Sequence, residues 1–141
     1  MYKAILVPVD LEHESSWRKA LPTATLMADA CGAALHLLTV VPDIRTQMIS
    51  QYFPNDFEKK AAADAARRLK AFANEHLAGR DVGLHVKAGS IHRSICAEAE
   101  RINADLIVMG SHRPELTDIL IGPNAEQVVR HAPISVLVVR G

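Results

Sequence analysis

The residues best suited to chemistry follow the apolar runs of the sequence. Asp10 comes after the first run, and Gly110 with Ser111 comes after the fourth. A glycine beyond a strand lets backbone N–H groups approach a ligand closely, and successive N–H groups can bind an anion. Gly122 precedes a predicted helix, whose N-terminus favours phosphate. The two glycines predict a phosphate site between them; ordinary turns at strand and helix ends are the alternative interpretation.

The motifs of common catalytic and metal sites are missing from the sequence. Its seven histidines include no H-E-x-x-H pair, and Cys31 and Cys96 have no C-x-x-C neighbour, so neither a catalytic metal nor structural zinc is predicted. No G-x-S-x-G segment places a nucleophilic serine. We predict no catalytic residue and no rapid catalysis, because no general base stands beside a nucleophile. Slow ATP hydrolysis or autophosphorylation would need only bound Mg²⁺ and water.

Composition and charge exclude further classes of protein. The chain has 141 residues, 49% of them hydrophobic and 23% charged, which is typical of one globular domain, residues 1–141. Sixteen basic and sixteen acidic residues give zero net charge, so no nucleic acid and no anionic membrane is an expected partner. The first apolar run is too short for a signal peptide or a membrane span. We therefore expect a cytoplasmic protein.

Short apolar runs alternate with longer segments of helical character. The predicted strands are 4–9, 34–41, 82–88, 106–109 and 134–139, and the predicted helices are 15–30, 57–77, 91–102 and 123–131. Ser15 or Ser16 is the expected N-cap of the first helix, in which Pro22 predicts a kink or a late start. The fully apolar fourth run predicts a central strand. The alternation predicts an α/β fold, a five-stranded parallel sheet with helices on both faces.

The connection between the second strand and the second helix is unusually long. It carries the apolar cluster Met48–Phe53. Such segments often cover ligands, although packing on the sheet edge is the interpretation we favour.

Four segments, in this order and at this spacing, resemble the universal stress protein family over the whole chain. They are Ile5–Asp10, Thr39–Pro42, Asp105–His112 and Val128–Arg140. The resemblance implies a Rossmann-like fold of five strands and a role in the stress response as a sensor or regulatory module. In family members that carry a glycine motif it also implies binding of an adenine nucleotide, ATP, ADP or AMP, with or without Mg²⁺.

The nucleotide-binding branch of that family carries Gly-x2-Gly-x9-Gly followed by Ser or Thr. Gly110 and Gly122 match its first and third glycines. The resemblance implies that Asp10 and Val40 flank the adenosine and that the segment before Asp10 forms an apolar wall. The complete predicted nucleotide-binding set is Pro8, Val9, Asp10, Val40, Met109, Gly110, Ser111, His112, Arg113, Gly122, Pro123 and Asn124.

The glycine motif departs from the family pattern at two positions. Arg113 replaces the second glycine, only eight residues separate it from Gly122, and Pro123 replaces the hydroxyl residue. Proline removes an N–H and an oxygen ligand from the phosphate end, while Asn124 still offers an amide. Arg113 could offset the loss by a charge-assisted contact with phosphate, or lie in solvent. The sequence therefore supports recognition of adenosine better than tight recognition of a triphosphate.

For several candidate ligand-binding residues, a purely structural role is the alternative interpretation. Asp10 binds ribose or caps a turn. Ser111 offers its hydroxyl to phosphate, or as a phosphorylation site, or it structures the loop. His112 approaches phosphate or is a surface imidazole, and His36 is predicted to be structural.

The last strand predicts a homodimer. Ile134–Val139 is apolar on both faces, and an unpaired apolar edge strand invites a second copy of the chain. The resemblance also implies dimerisation through this strand. The alternative function is a nucleotide-free, stress-related interaction protein that works through its dimer surface.

Overall fold

The computed structural model describes residues 1–41, 57–111 and 122–141. The predictions for Met48–Phe53, His112 and Arg113 lie outside these residues.

The described chain alternates strands with helices, as the sequence predicts. The strands are β1 (Ala4–Pro8), β2 (Ala34–Val41), β3 (Val82–Ala88), β4 (Leu106–Ser111) and β5 (Ser135–Arg140). The helices are α1 (Ala20–Cys31), α2 (Phe57–His76), α3 (Ile91–Arg101) and α4 (Pro123–His131). The strands form one parallel sheet in the order β3-β2-β1-β4-β5. The predicted α/β fold is confirmed.

Alternate residues of each strand enter two separate core layers, because successive strand side chains point to opposite faces. Helices α1 and α2 cover one face, where Leu21 and Leu69 pack on Ile5 and Val7. Helices α3 and α4 cover the other face through the buried residues Ile95, Ala99, Ala125 and Val128. Both faces of the sheet are thus removed from water, as parallel sheets require. Within the described ranges, no helix combines the length and apolar character needed to cross a membrane.

The first helix begins later than the serines before it suggest. Helix α1 starts at Ala20, with Lys19 at the N-cap position and no side-chain cap, so the predicted caps Ser15 and Ser16 are wrong. Those serines lie in a separate 3-10 turn, Glu14–Ser16. The late start predicted from Pro22 is confirmed: as the third helical residue, it occupies the first turn, where a backbone N–H has no partner within the helix.

Strand β4 is an interior strand, but β1 and not β4 is the middle strand of the sheet. Registered pairing between them is limited to Ile5 with Leu106 and Leu6 with Ile107. At the amino end, the Asp105 carboxylate accepts the backbone N–H of Lys3 at 2.9 Å, and that of Ala4 at 3.0 Å. The carboxyl ends of β1 and β4 are unpaired with each other at the point where strand order reverses, the usual position of a ligand crevice.

Two histidines meet at the β2–β3 side of the sheet. Nδ1 of His36 lies 2.9 Å from Nε2 of His85. Gly83 makes room for this contact, because a Cβ there would lie 2.2 Å from Nδ1 of His36. Glu98, Arg101 and Lys87 surround the pair. Burial, followed by the positive charge of Arg101, lowers the pKa of His36. Burial is also the main cause that lowers the pKa of His85.

The histidine pair predicts a loss of stability in mild acid. A folded-state pKa below the unfolded value means that the unfolded chain takes up protons first, so stability should fall as the pH drops below about 6.5. We expect a lower Tm at about pH 5.5 than at about pH 7.5. In the double variant His36→Gln/His85→Gln, the difference in Tm between the two pH values should become smaller. The control variant His131→Gln, which changes an exposed histidine, should show the same difference as the parent protein. The same decrease in all three proteins would contradict a role for the pair.

Candidate functional site

The predicted apolar residues of the site are divided between the two faces of the sheet. Val40 and Met109 belong to the core layer beneath α3 and α4, and Pro8, two residues after Leu6, faces the same side. Val9 faces the opposite side, is only 3% exposed, and donates its N–H to the Leu38 carbonyl at 2.8 Å. The side chain of Val9 is therefore part of the core packing, while Pro8 and Val40 remain half-buried at the carboxyl edge of the sheet.

Asp10 organises the loop that follows β1. Its Oδ1 accepts the Glu12 N–H at 2.9 Å, and its Oδ2 lies 2.9 Å from Nδ1 of His13. The carboxylate is nevertheless 53% exposed, and each of its oxygens can accept a second hydrogen bond. The turn-forming alternative for Asp10 is thus present in the structure, and it leaves capacity for ribose hydroxyls.

The hydroxyl of Ser16 closes the same loop, a role that the sequence reasoning missed. The Asp10 N–H donates to Ser16 Oγ at 2.9 Å, and Oγ lies 2.8 Å from the His13 carbonyl oxygen, to which it can donate. Asp10, His13 and Ser16 stand three residues apart, a spacing typical of consecutive tight turns. That regular spacing is the signal that could have identified them.

Gly110 brings the end of β4 against this loop. A Cβ at Gly110 would lie 2.7 Å from the Ser16 carbonyl oxygen and 3.0 Å from that of Ser15. Both neighbours are backbone atoms, which cannot rotate away as a side chain could. The absence of a side chain at Gly110 therefore permits the backbone contact between β4 and the 3-10 turn.

Ser111 joins the two glycine positions of the predicted phosphate site. Its Oγ accepts the backbone N–H of Gly122 at 3.0 Å. Gly122 is the N-cap of α4, and Pro123 is the first helical residue, where its missing N–H costs no helical hydrogen bond. The loop-structuring alternative for Ser111 is thus seen in the structure. It occupies one N–H that an anion would otherwise use.

The described residues retain some anion-binding capacity at the start of α4. The backbone N–H groups of Asn124 and Ala125 belong to the first helical turn, where they have no acceptor within the helix. Over residues 1–41, 57–111 and 122–141, no three His, Cys, Asp or Glu side chains are grouped to hold a metal ion.

Substitution by alanine should affect stability to different extents at the two glycines. Gly110→Ala should lower stability by about 1–3 kcal/mol, because its Cβ forces apart two backbone segments. Gly122→Ala should change stability by only about 0.5 kcal/mol, because its Cβ would meet no described atom closer than Ser111 Oγ at 4.0 Å, and its φ of −59° suits alanine. Chemical denaturation measures both values. Equal losses, or the larger loss at Gly122, would contradict the backbone contact.

Comparison with known proteins identifies the family. A model described as the universal stress protein family matches residues 1–140. Universal stress protein G of Salmonella typhimurium is 34% identical over 143 aligned positions, which cover 99% of this chain and 100% of that relative.

Solved structures share the fold over nearly the whole chain. The hypothetical protein MJ0577 matches with a TM-score of 0.80 and 27% identity, covering 100% of this chain and 97% of its own. A universal stress protein solved in complex with cAMP matches with a TM-score of 0.63 and 25% identity, covering 99% of this chain and 97% of its own. Fold and sequence agree over the full length, and this chain belongs to the universal stress protein family.

Proposed function

We propose that this protein binds an adenine nucleotide in the crevice between the carboxyl ends of β1 and β4, and acts in the cytoplasm as a stress-response sensor or regulatory module. The observation that carries the proposal is the contact of Gly110 with the loop that contains Asp10. This contact places the partly exposed Asp10 carboxylate beside the switch point of the sheet, where the strand order reverses. The relative solved with cAMP supports the class of ligand.

The nucleoside end of this crevice suits its ligand better than the phosphate end. Pro8 and Val40 offer half-buried apolar surface to a base, and Asp10 can accept hydrogen bonds from ribose hydroxyls. At the phosphate end, Gly122 already donates to Ser111, and Pro123 has no N–H. We therefore propose that AMP and ATP bind with similar affinity, and that any Mg²⁺ binds through phosphate oxygens.

The first test is to identify small molecules retained by the purified protein. Denaturation, chromatography and mass spectrometry should release an adenine nucleotide, and calorimetry should show binding of AMP and of ATP with Mg²⁺. In Asp10→Asn, which keeps an oxygen for the Glu12 N–H, affinity should fall by about tenfold or more, since a hydrogen bond to a charged group is lost. Asp81→Ala removes an exposed carboxylate at the opposite end of the sheet and should leave affinity unchanged.

Two outcomes would contradict the proposal. An empty protein that also fails to bind added ATP and Mg²⁺ would favour the second candidate, a nucleotide-free interaction protein. The engagement of the Gly122 N–H by Ser111 is the observation that favours this alternative. Equal affinity in Asp10→Asn and the parent would show that the ligand binds elsewhere.

We further propose that the protein forms a homodimer through β5, the edge strand that contains most of the predicted segment Ile134–Val139. Its four central residues, Val136–Val139, are half-buried, and its outer backbone edge has no partner strand in the described sheet. Light scattering should give about 31 kDa, twice the chain mass of 15.4 kDa.

A positive charge on the edge strand β5 should dissociate the proposed homodimer. Val138→Lys should yield monomers, because lysine on an edge strand opposes pairing. Val129→Lys places the same charge on an exposed position of α4 and should leave the dimer intact. A monomeric parent, or a dimer that persists in Val138→Lys, would contradict pairing through β5.

A further inference from the structure

Pro8 and Val40 are half-buried apolar residues at the carboxyl edge of the sheet, and the charged residue Lys87 lies beside Val40. Lys87 of β3 is paired in register with Val40 of β2, so their side chains lie next to each other on one face, about 5 Å apart. Its contact with Glu98 of α3 shows that Lys87 faces the α3 and α4 side, as do Val40 and Met109. Lys87 therefore continues the proposed site by one strand, on the side away from Gly110.

A buried carboxylate anchors this lysine. Lys87 Nζ lies 3.3 Å from Oε2 of Glu98, whose side chain is 0% exposed. Arg101 binds the other oxygen, Oε1, and Nδ1 of His85 lies 3.8 Å from it. Burial alone would raise the pKa of Glu98, but the hydrogen bond from Arg101 and the nearby positive charge of Lys87 outweigh it and hold the pKa below its usual value. Glu98 is thus an anion that fixes the position of the lysine ammonium.

Neutralising Glu98 does not require Lys87, because Arg101 alone balances its charge. Lys87, the second cation beside Glu98, has a side chain that is 43% exposed. An ammonium group has three N–H donors, and Glu98 is the one ion-pair partner of Lys87 in the part of the chain that the structure describes. Donors therefore remain for an acceptor outside the protein.

We propose that Lys87 is a further ligand-contacting residue, which donates a hydrogen bond to an acceptor on the nucleoside part of the bound nucleotide, and that Glu98 is its positioning residue. The inference rests on the proposed function. Three strand spacings separate β3 from β4, so Lys87 lies about 14 Å across the sheet from Gly110 and the phosphate end. A ring nitrogen of the base or a ribose hydroxyl is the acceptor within reach, and phosphate is not.

Calorimetry with three ligands tests this assignment. In Lys87→Met, which keeps the length of the side chain, adenosine, AMP and ATP should each lose about tenfold in affinity, because all three contain the same nucleoside. Glu98→Gln should weaken all three to a smaller extent, since the ammonium stays but loses its anchor. Lys70→Met removes an exposed lysine of α2 and is the matched control for net charge.

The result distinguishes this inference from the proposed function. If the parent binds all three ligands and Lys87→Met binds adenosine equally well, the role of Lys87 is overturned while the nucleotide site stands. A loss that appears with ATP but not with adenosine would also overturn it, because it would report a long-range charge effect on phosphate. A parent that binds none of the three would overturn both proposals.

Discussion

The close approach of β4 to the loop after β1 is the constraint on which the site depends. At Gly110 the backbone passes so near the carbonyl oxygens of Ser15 and Ser16 that there is no space for a Cβ. The contact joins segments about one hundred residues apart in the chain, on either side of the switch point. It therefore fixes the position of Asp10 relative to the end of β4, although the two strands are paired only at their amino ends.

The same architecture makes the two ends of the crevice unequal. Ser111 uses the Gly122 N–H to bring the end of β4 to the start of α4. This hydrogen bond gives the Gly122 N–H an acceptor within the protein, without a ligand. The nucleoside end keeps an exposed carboxylate at Asp10 and half-buried apolar surface at Val40. This difference is the basis of the proposed recognition centred on the nucleoside, and it agrees with the altered glycine motif.

The buried charges beside β3 connect structural and functional roles. Glu98 would be costly to bury alone, and it is stabilised by Arg101 from its own helix and Lys87 from the sheet. His36 and His85 complete the cluster, and their lowered pKa values predict that acid destabilises the same region. The side chains predicted to control stability below neutral pH are therefore neighbours of those proposed to contact the base.

The sequence alone determined the helices and strands and the parallel sheet, because hydrophobic periodicity acts over a few neighbouring positions. Its resemblance to the family rested on four segments in matching order and spacing. It also singled out Asp10 and Gly110 as candidate site residues by their places at the ends of apolar runs. Tertiary structure decided what Gly110 and Ser111 touch, because Gly110 meets the separate turn at Ser16 and Ser111 meets Gly122 at the start of α4. The ion pair of Lys87 and Glu98 arises in the same way, because strand register and the docking of α3 bring them together, and neither can be read from local pattern.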